Sequence, residues 1–143
     1  GPTKAHKFDT SMLRRKNVAA SEILDTSILA ELRDIPPTEG VTMLRELIEM
    51  FLDSAPARIG QIEQHVGEPI KLAFHAHALK SMSLNLGCKR IVNLSGQLED
   101  LGRAGTVQDA LPLVRELEAA FTETKIELDK LRQEEIARIT PQI

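Results

Sequence analysis

His77-Ala78-Leu79-Lys80-Ser81-Met82-Ser83-Leu84-Asn85-Leu86-Gly87 is the stretch whose reading decides the fold. Set on a helix at about 100° per residue, this stretch and the residues just before it put Leu72, His75, Ala76, Leu79, Met82, Ser83 and Leu86 within an arc of roughly 120°. A stripe of that width faces a core. His77 points about 160° away from the stripe's centre, with Lys80 and Ser81 one turn on and Leu84 two turns on. Its own face holds only small or apolar neighbours, Ala73, Ser81 and Leu84, besides the ammonium of Lys80. A neutral imidazole on such a face is a nucleophile near neutral pH, open to whatever docks there.

Working outward, the apolar positions Leu44, Leu47, Ile48, Phe51, Leu52, Ala55, Ile59 and Ile62 keep three-and-four spacing from Val41 to about His65 and predict a second long helix. Pro56 lies inside that run and is expected to kink it. Gly67-Glu68-Pro69 makes the turn into the central helix, Pro69 to Asn85, which Gly87 closes. Lys89 to Arg103 carries a stripe at Ile91, Leu94, Ser95, Leu98, Leu101 and Gly102, where the small Ser95 and Gly102 let a neighbouring backbone come close. After Gly105, with Thr106 or Asp109 as candidate cap and Pro112 in the first turn, a last helix shows Val114, Leu117, Phe121, Thr124, Leu128 and Leu131. Its pattern fades beyond Arg132. Ahead of all these, Asp25 can cap a short helix with Ile28, Leu29 and Leu32 on one side, stopped by Pro36-Pro37. No strand pattern or internal repeat is found. The expected architecture is all-α: an antiparallel up-and-down four-helix bundle with a short additional N-terminal helix. Residues 1–21 read as disordered tag or linker, 22–132 as the bundle and 133–143 as a C-terminal tail.

Composition narrows the function. With 143 residues and ~100 of them helical, one domain with a sizeable core is expected. The net charge of −3, the lack of a basic cluster beyond Arg14-Arg15-Lys16, and the lack of Trp and Tyr argue against nucleic-acid binding. No apolar run approaches the ~20 residues that cross a bilayer, and the start does not read as a signal peptide. Gly1-Pro2 without an initiator Met reads as the remnant of a cleaved tag, so the chain is expected to be a piece of something larger. The single Cys88 fits a reducing, cytoplasmic setting. A monomer is expected, since one bundle can bury all its stripes internally. His75 stands about 200° from His77 on the core flank, so the two cannot chelate one metal ion, and His75 reads as a packed, hydrogen-bonded structural residue. No other residues have metal-ligand spacing.

His77-Ala78-Leu79-Lys80, Ser83 and Leu86-Gly87-Cys88 resemble the H-x-L-K-G-x-S-x-x-L-G-A signature of histidine-containing phosphotransfer (HPt) domains, with Ser81 for the usual Gly and Cys88 for the usual Ala. Ile23-Leu24-Asp25 with Leu29 and Leu32-Arg33 is similar to the family's opening helix, Leu44 to Arg58 to its second, and Leu98 to Gly105 to the end of its fourth. The resemblance implies that His77 accepts a phosphoryl group from a receiver-domain phospho-aspartate and passes it to another receiver aspartate. It implies that Lys80 stabilises phosphate charge, and it puts Glu99 where the family often has a Gln or Glu bonded to the other imidazole nitrogen. Glu99 and Arg103 also have the i,i+4 spacing of a surface ion pair. The partner-facing set is then Ala73, Ser81, Leu84 and Arg103. No cofactor or metal is expected on this domain, Mg2+ being expected on the receiver partner, which belongs to a response regulator or a hybrid histidine kinase. No autonomous kinase activity is expected. The competing readings are a helical adaptor that docks receivers without transfer and the phosphoacceptor bundle of a histidine kinase. Against the latter stand Ala78, where such kinases usually carry an acidic residue, and the lack of a Gly-rich nucleotide-binding segment.

Overall fold

The computed structural model describes residues 20–139. One helical turn, Ala20–Ile23, leads into α1 (Thr26–Arg33). Four longer helices follow: α2 (Met43–Gln64), α3 (Pro69–Leu86), α4 (Lys89–Ala104) and α5 (Ala110–Ile139), the last entered through a 3-10 turn at Val107–Asp109. Among the described residues, extended pairing is limited to the isolated bridges Leu24 with Cys88 and Thr38 with Val41.

The helix ends have local causes. Asp25 is extended and accepts from the Ser27 N–H at 3.0 Å and the Ser27 hydroxyl at 2.6 Å, which satisfies a donor that the first turn leaves unpaired. Thr42 caps α2 by accepting from the Arg45 N–H at 3.1 Å. Glu68 makes no side-chain cap for α3, and Pro69, at the first position, has no N–H that needs one. Gly87 ends α3 at φ 72°, a left-handed conformation that costs glycine little. The Asp25 N–H donates to the Gly87 carbonyl at 2.7 Å, pinning the start of α1 to the α3–α4 turn. Thr106 makes no side-chain cap; its N–H closes α4 on the Leu101 carbonyl at 3.1 Å. α2 passes through Pro56 as one helix, with Pro56 on its exposed side.

The long helices pack in a ring, α2 on α3, α3 on α4, α4 on α5 and α5 on α2, as an antiparallel bundle with short connections requires. The stripes read from the sequence meet at its centre: Leu44, Ile48, Ile62, Leu72, Leu79, Ile91, Leu98, Leu117 and Leu128 are essentially inaccessible. Cys88 is buried with them, and burial pushes its thiol up to about 12. It therefore fills space as a small apolar residue. Ion pairs of α2 with α5 (Glu63 with Arg115, Glu49 with Arg132) and of α4 with α5 (Arg90 with Glu123) lie along the outer seams, where such pairs add little.

Two boundaries differ from expectation. The segment 1–21 lies outside the described residues except for Ala20 and Ser21, which open the first helical turn. The segment 133–143 is not a tail as far as Ile139: α5 continues through it and buries Glu135. That carboxylate accepts from Arg138 at 2.9 Å and lies 3.7 Å from Arg33. Burial raises its pKa, but Arg138, Thr42 and Arg33 outweigh that and hold it below its ordinary value. A helix turn anchored by a buried charge carries no apolar period, which is why the pattern fades where the helix does not.

α4 crosses α3 closely at Gly102. A Cβ there would stand 2.7 Å from the Pro69 carbonyl oxygen, 2.8 Å from the Ala73 nitrogen and 2.9 Å from the Ala73 Cβ. Backbone cannot yield as a side chain can. Gly102→Ala is expected to lower the unfolding free energy by about 1–3 kcal/mol. Gly96→Ala, whose Cβ would meet only Lys80 Cδ at 3.7 Å, should raise it by up to about 1 kcal/mol through helix propensity. Urea unfolding of both checks the contrast, and equal effects would mean that Gly102 is not a contact point.

Candidate functional site

His77 leaves the bundle at the middle of α3, between Ala76 and Leu79 in terms of the core stripe, and its side chain is 55% exposed. Behind it lies Glu99 of α4, whose side chain is 4% exposed. The close crossing at Gly102 brings α4 near enough for this carboxylate to reach under the imidazole. Glu99 Oε2 is 2.9 Å from His77 Nδ1. The same oxygen accepts from Arg103 at 2.6 and 3.0 Å. Glu99 Oε1 lies 2.7 Å from Lys80 Nζ and pairs with that ammonium.

A carboxylate so placed is expensive to bury unless compensated. Burial raises the Glu99 pKa, but Lys80, Arg103 and His77 outweigh it and hold the group at about 2. Glu99 is therefore an anion at neutral pH and can only accept. A neutral His77 ring in this contact therefore carries its proton on Nδ1 and keeps the lone pair on Nε2. Nε2 makes no bond among the described residues.

The residues singled out in the sequence fall into two groups. Ala73 and Arg103 join His77 around a shallow depression of about 360 Å³, completed by Ile70, Phe74 and Gly102. Ser81 and Leu84 share the exposed face on the other side of His77 and do not line the depression. Lys80 is near His77 but tied to Glu99. The two readings of Glu99 hold together: it meets the imidazole and pairs with Arg103 through the same oxygen. Ile70 and Phe74 were missed. Their signal was available, since positions seven and three before His77 share its side of the helix, and two large apolar residues there have no core to enter.

His75 is half-buried and hydrogen-bonded, as its place on the wheel predicts. Arg58 donates to its Nδ1 at 2.8 Å, and the ring stacks on His65 at 5.4 Å. Desolvation, then the Arg58 guanidinium, keep it below the ordinary histidine range. It shares no partner with His77. Among the described residues no group of three His, Cys, Asp or Glu is placed to hold a metal ion, and no helix is long and apolar enough to cross a membrane.

The geometry defines a class: an all-α bundle with a histidine on an open helix face, oriented by a buried carboxylate. A family model described as Hpt domain matches residues 46–134, well over half of the chain and including His77, Lys80, Glu99 and Arg103, and the chain belongs to that family. Among solved structures it is similar to histidine-containing phosphotransfer protein B (HptB) from Pseudomonas aeruginosa PAO1, at 25% identity and a TM-score of 0.69, over 78% of this chain and 95% of that one. A comparison with curated proteins gives no match. The Hpt domain is a histidine phosphotransfer carrier of phosphorelays that works without a cofactor and interacts with receiver domains.

The acid behaviour of Glu99 can be measured. A carboxylate whose folded pKa is depressed stabilises the native state above its unfolded value and loses that contribution as pH falls through the folded one. For Glu99 the loss runs from about pH 4.5 down to about 2. Glu99→Gln is expected to flatten the fall in stability across that window relative to the unsubstituted chain, read by urea unfolding at several pH values. An unchanged acid limb would mean that Glu99 is not the charged partner of Lys80 and Arg103.

Proposed function

We propose that His77 is the phosphoacceptor of a phosphorelay carrier, taking a phosphoryl group from the phospho-aspartate of one receiver domain and giving it to the aspartate of another. The observation that carries this reading is the 2.9 Å contact of Nδ1 with Glu99, which leaves Nε2 as the free, outward nitrogen. In the forward step a bond forms between Nε2 and phosphorus as the bond from phosphorus to the aspartyl oxygen breaks, and the aspartate leaves as a carboxylate. The ring, now substituted on Nε2 and protonated on Nδ1, becomes cationic. Glu99, already ionised and already in contact, stabilises that charge without rearrangement. The same charge makes the ring a good leaving group in the reverse sense, so one residue serves both halves of the relay.

Phosphoryl transfer asks chiefly for in-line positioning and neutralised oxygen charge. Lys80, one turn from His77, supplies one cation and Arg103 a second at the edge of the depression. The rest, including a divalent cation, comes with the receiver. This chain draws its phosphate from a partner.

The test uses both a small donor and a macromolecular one. His77→Gln is expected to keep its helical circular dichroism and to lose all label from phosphoramidate and from a phosphorylated receiver. The label on the unsubstituted chain should be acid-labile and base-stable. His75→Gln should keep labelling while losing about 1 kcal/mol of stability with its Arg58 bond. Label persisting on His77→Gln would overturn the assignment.

A further inference from the structure

The side of α3 that carries His77 is apolar where an amphipathic helix should be polar. Ile70 is 86% and Phe74 66% exposed. They stand within two turns of His77, roughly 11 Å along the axis, and with Ala73, Gly102 and Arg103 they surround the depression that His77 closes. Covering side chains of that size removes apolar surface from water and favours association. Among the described residues nothing covers them.

Phe74 is also held in place. Its ring meets His75 edge-on, at 5.3 Å and 81° between planes. His75 is fixed from α2 by Arg58 and stacked on His65, whose Nδ1 is 2.7 Å from Glu68. A row of side chains from the α2–α3 turn therefore orders an aromatic ring that remains in water. Ordering a side chain in advance removes part of what binding would otherwise cost, and ordered aromatics beside arginine are the usual energetic centres of interfaces.

Resting on the reading of His77 as phosphoacceptor, we propose that Phe74, with Ile70, is the anchor on which the donor receiver domain docks, and that His75 is a positioning residue that holds Phe74 for it. Continuity with the reaction centre fixes the occupant. Transfer to Nε2 needs reacting atoms at ~3–3.5 Å, and a partner face of ~800 Å² centred there takes in residues one and two turns away. Charge agrees with this. Lys80 and Arg103 against the single carboxylate of Glu99 leave the edge of the site with one net positive charge, complementary to a phospho-aspartate. On the C-terminal side Leu84 stands alone among Ser81, Asn85 and Lys80, so the contact is weighted to the N-terminal side of His77.

The experiment measures labelling of the full chain from the receiver domain, charged with acetyl phosphate, that labels the unsubstituted chain fastest, and in parallel from phosphoramidate, which needs no docking. Phe74→Ala is expected to raise the KM for the receiver by ~10-fold or more, with much smaller changes in kcat and in phosphoramidate labelling. Leu84→Ala should raise it less, and Ile126→Ala, exposed on α5, not at all. His75→Ala should raise KM ~3-fold, and His75→Phe, which keeps a ring against Phe74, should restore it. An unchanged KM in Phe74→Ala, or an equal rise in Leu84→Ala, overturns the proposal. So does a loss of self-association in Phe74→Ala by sedimentation without a change in KM, which would make a second copy the occupant. If phosphoramidate fails to label the unsubstituted chain, the phosphoacceptor reading falls instead. Calorimetric binding of the uncharged receiver to the unsubstituted and Phe74→Ala chains then decides the docking surface by itself, equal affinities overturning it.

Discussion

The buried carboxylate of Glu99 is the constraint on which the rest of the site depends. Left alone it would be costly to bury, and three donors from two helices compensate it: His77 and Lys80 of α3 and Arg103 of its own helix. Compensation is thereby also orientation. The side chains that make the charge tolerable are the ones that a phosphoryl group will meet. Because Glu99 can only accept, the tautomer of His77 is decided by a group inside the protein while the reactive nitrogen stays outside.

That arrangement needs α3 and α4 nearer to each other than side chains between them would allow. Gly102 provides the approach, against Pro69 and Ala73. Glu99 lies one turn before it on the same face of α4. The sequence Glu99-Asp100-Leu101-Gly102 can thus be read as a carboxylate followed by the gap that lets it reach the neighbouring helix. Gly102 does not sit at a positive φ. Its work is steric, and it is worth the helix propensity it gives up.

Periodicity made the bundle legible because every long helix buries a stripe of aliphatic residues, and the outward direction of His77 followed from that stripe. The function was legible only through the resemblance, since a solvent-facing histidine by itself says little. What escaped the reading shares one physical character: contacts that are not apolar burial. The end of α5 is held by Glu135 against Arg138 and Arg33, so it carries no hydrophobic period past Arg132. Ile70 and Phe74 are apolar but not buried, and a search for cores passes over residues that await a partner. The union of Lys80 with Glu99 was hidden for another reason, because it joins residues on two helices whose relative register no single-helix pattern encodes.

The two carboxylates buried among the described residues show what separates a site from a structural pair. Glu99 and Glu135 are both nearly inaccessible, both lie in helices, and both are held below the ordinary carboxylate range by basic side chains. Glu135 is surrounded by guanidinium groups and a hydroxyl, none of which can exchange a group at neutral pH, so its bonds fasten α5 to the first helices and end there. Glu99 has an imidazole among its donors. That ring alone has a second nitrogen able to form a bond on its far side while the first keeps its proton. A change on the outer nitrogen is therefore felt at once by the buried anion, and through it by Lys80 and Arg103. The same electrostatic device fastens helices at one end of the bundle and prepares a nucleophile on the middle of α3, and the difference lies in one donor.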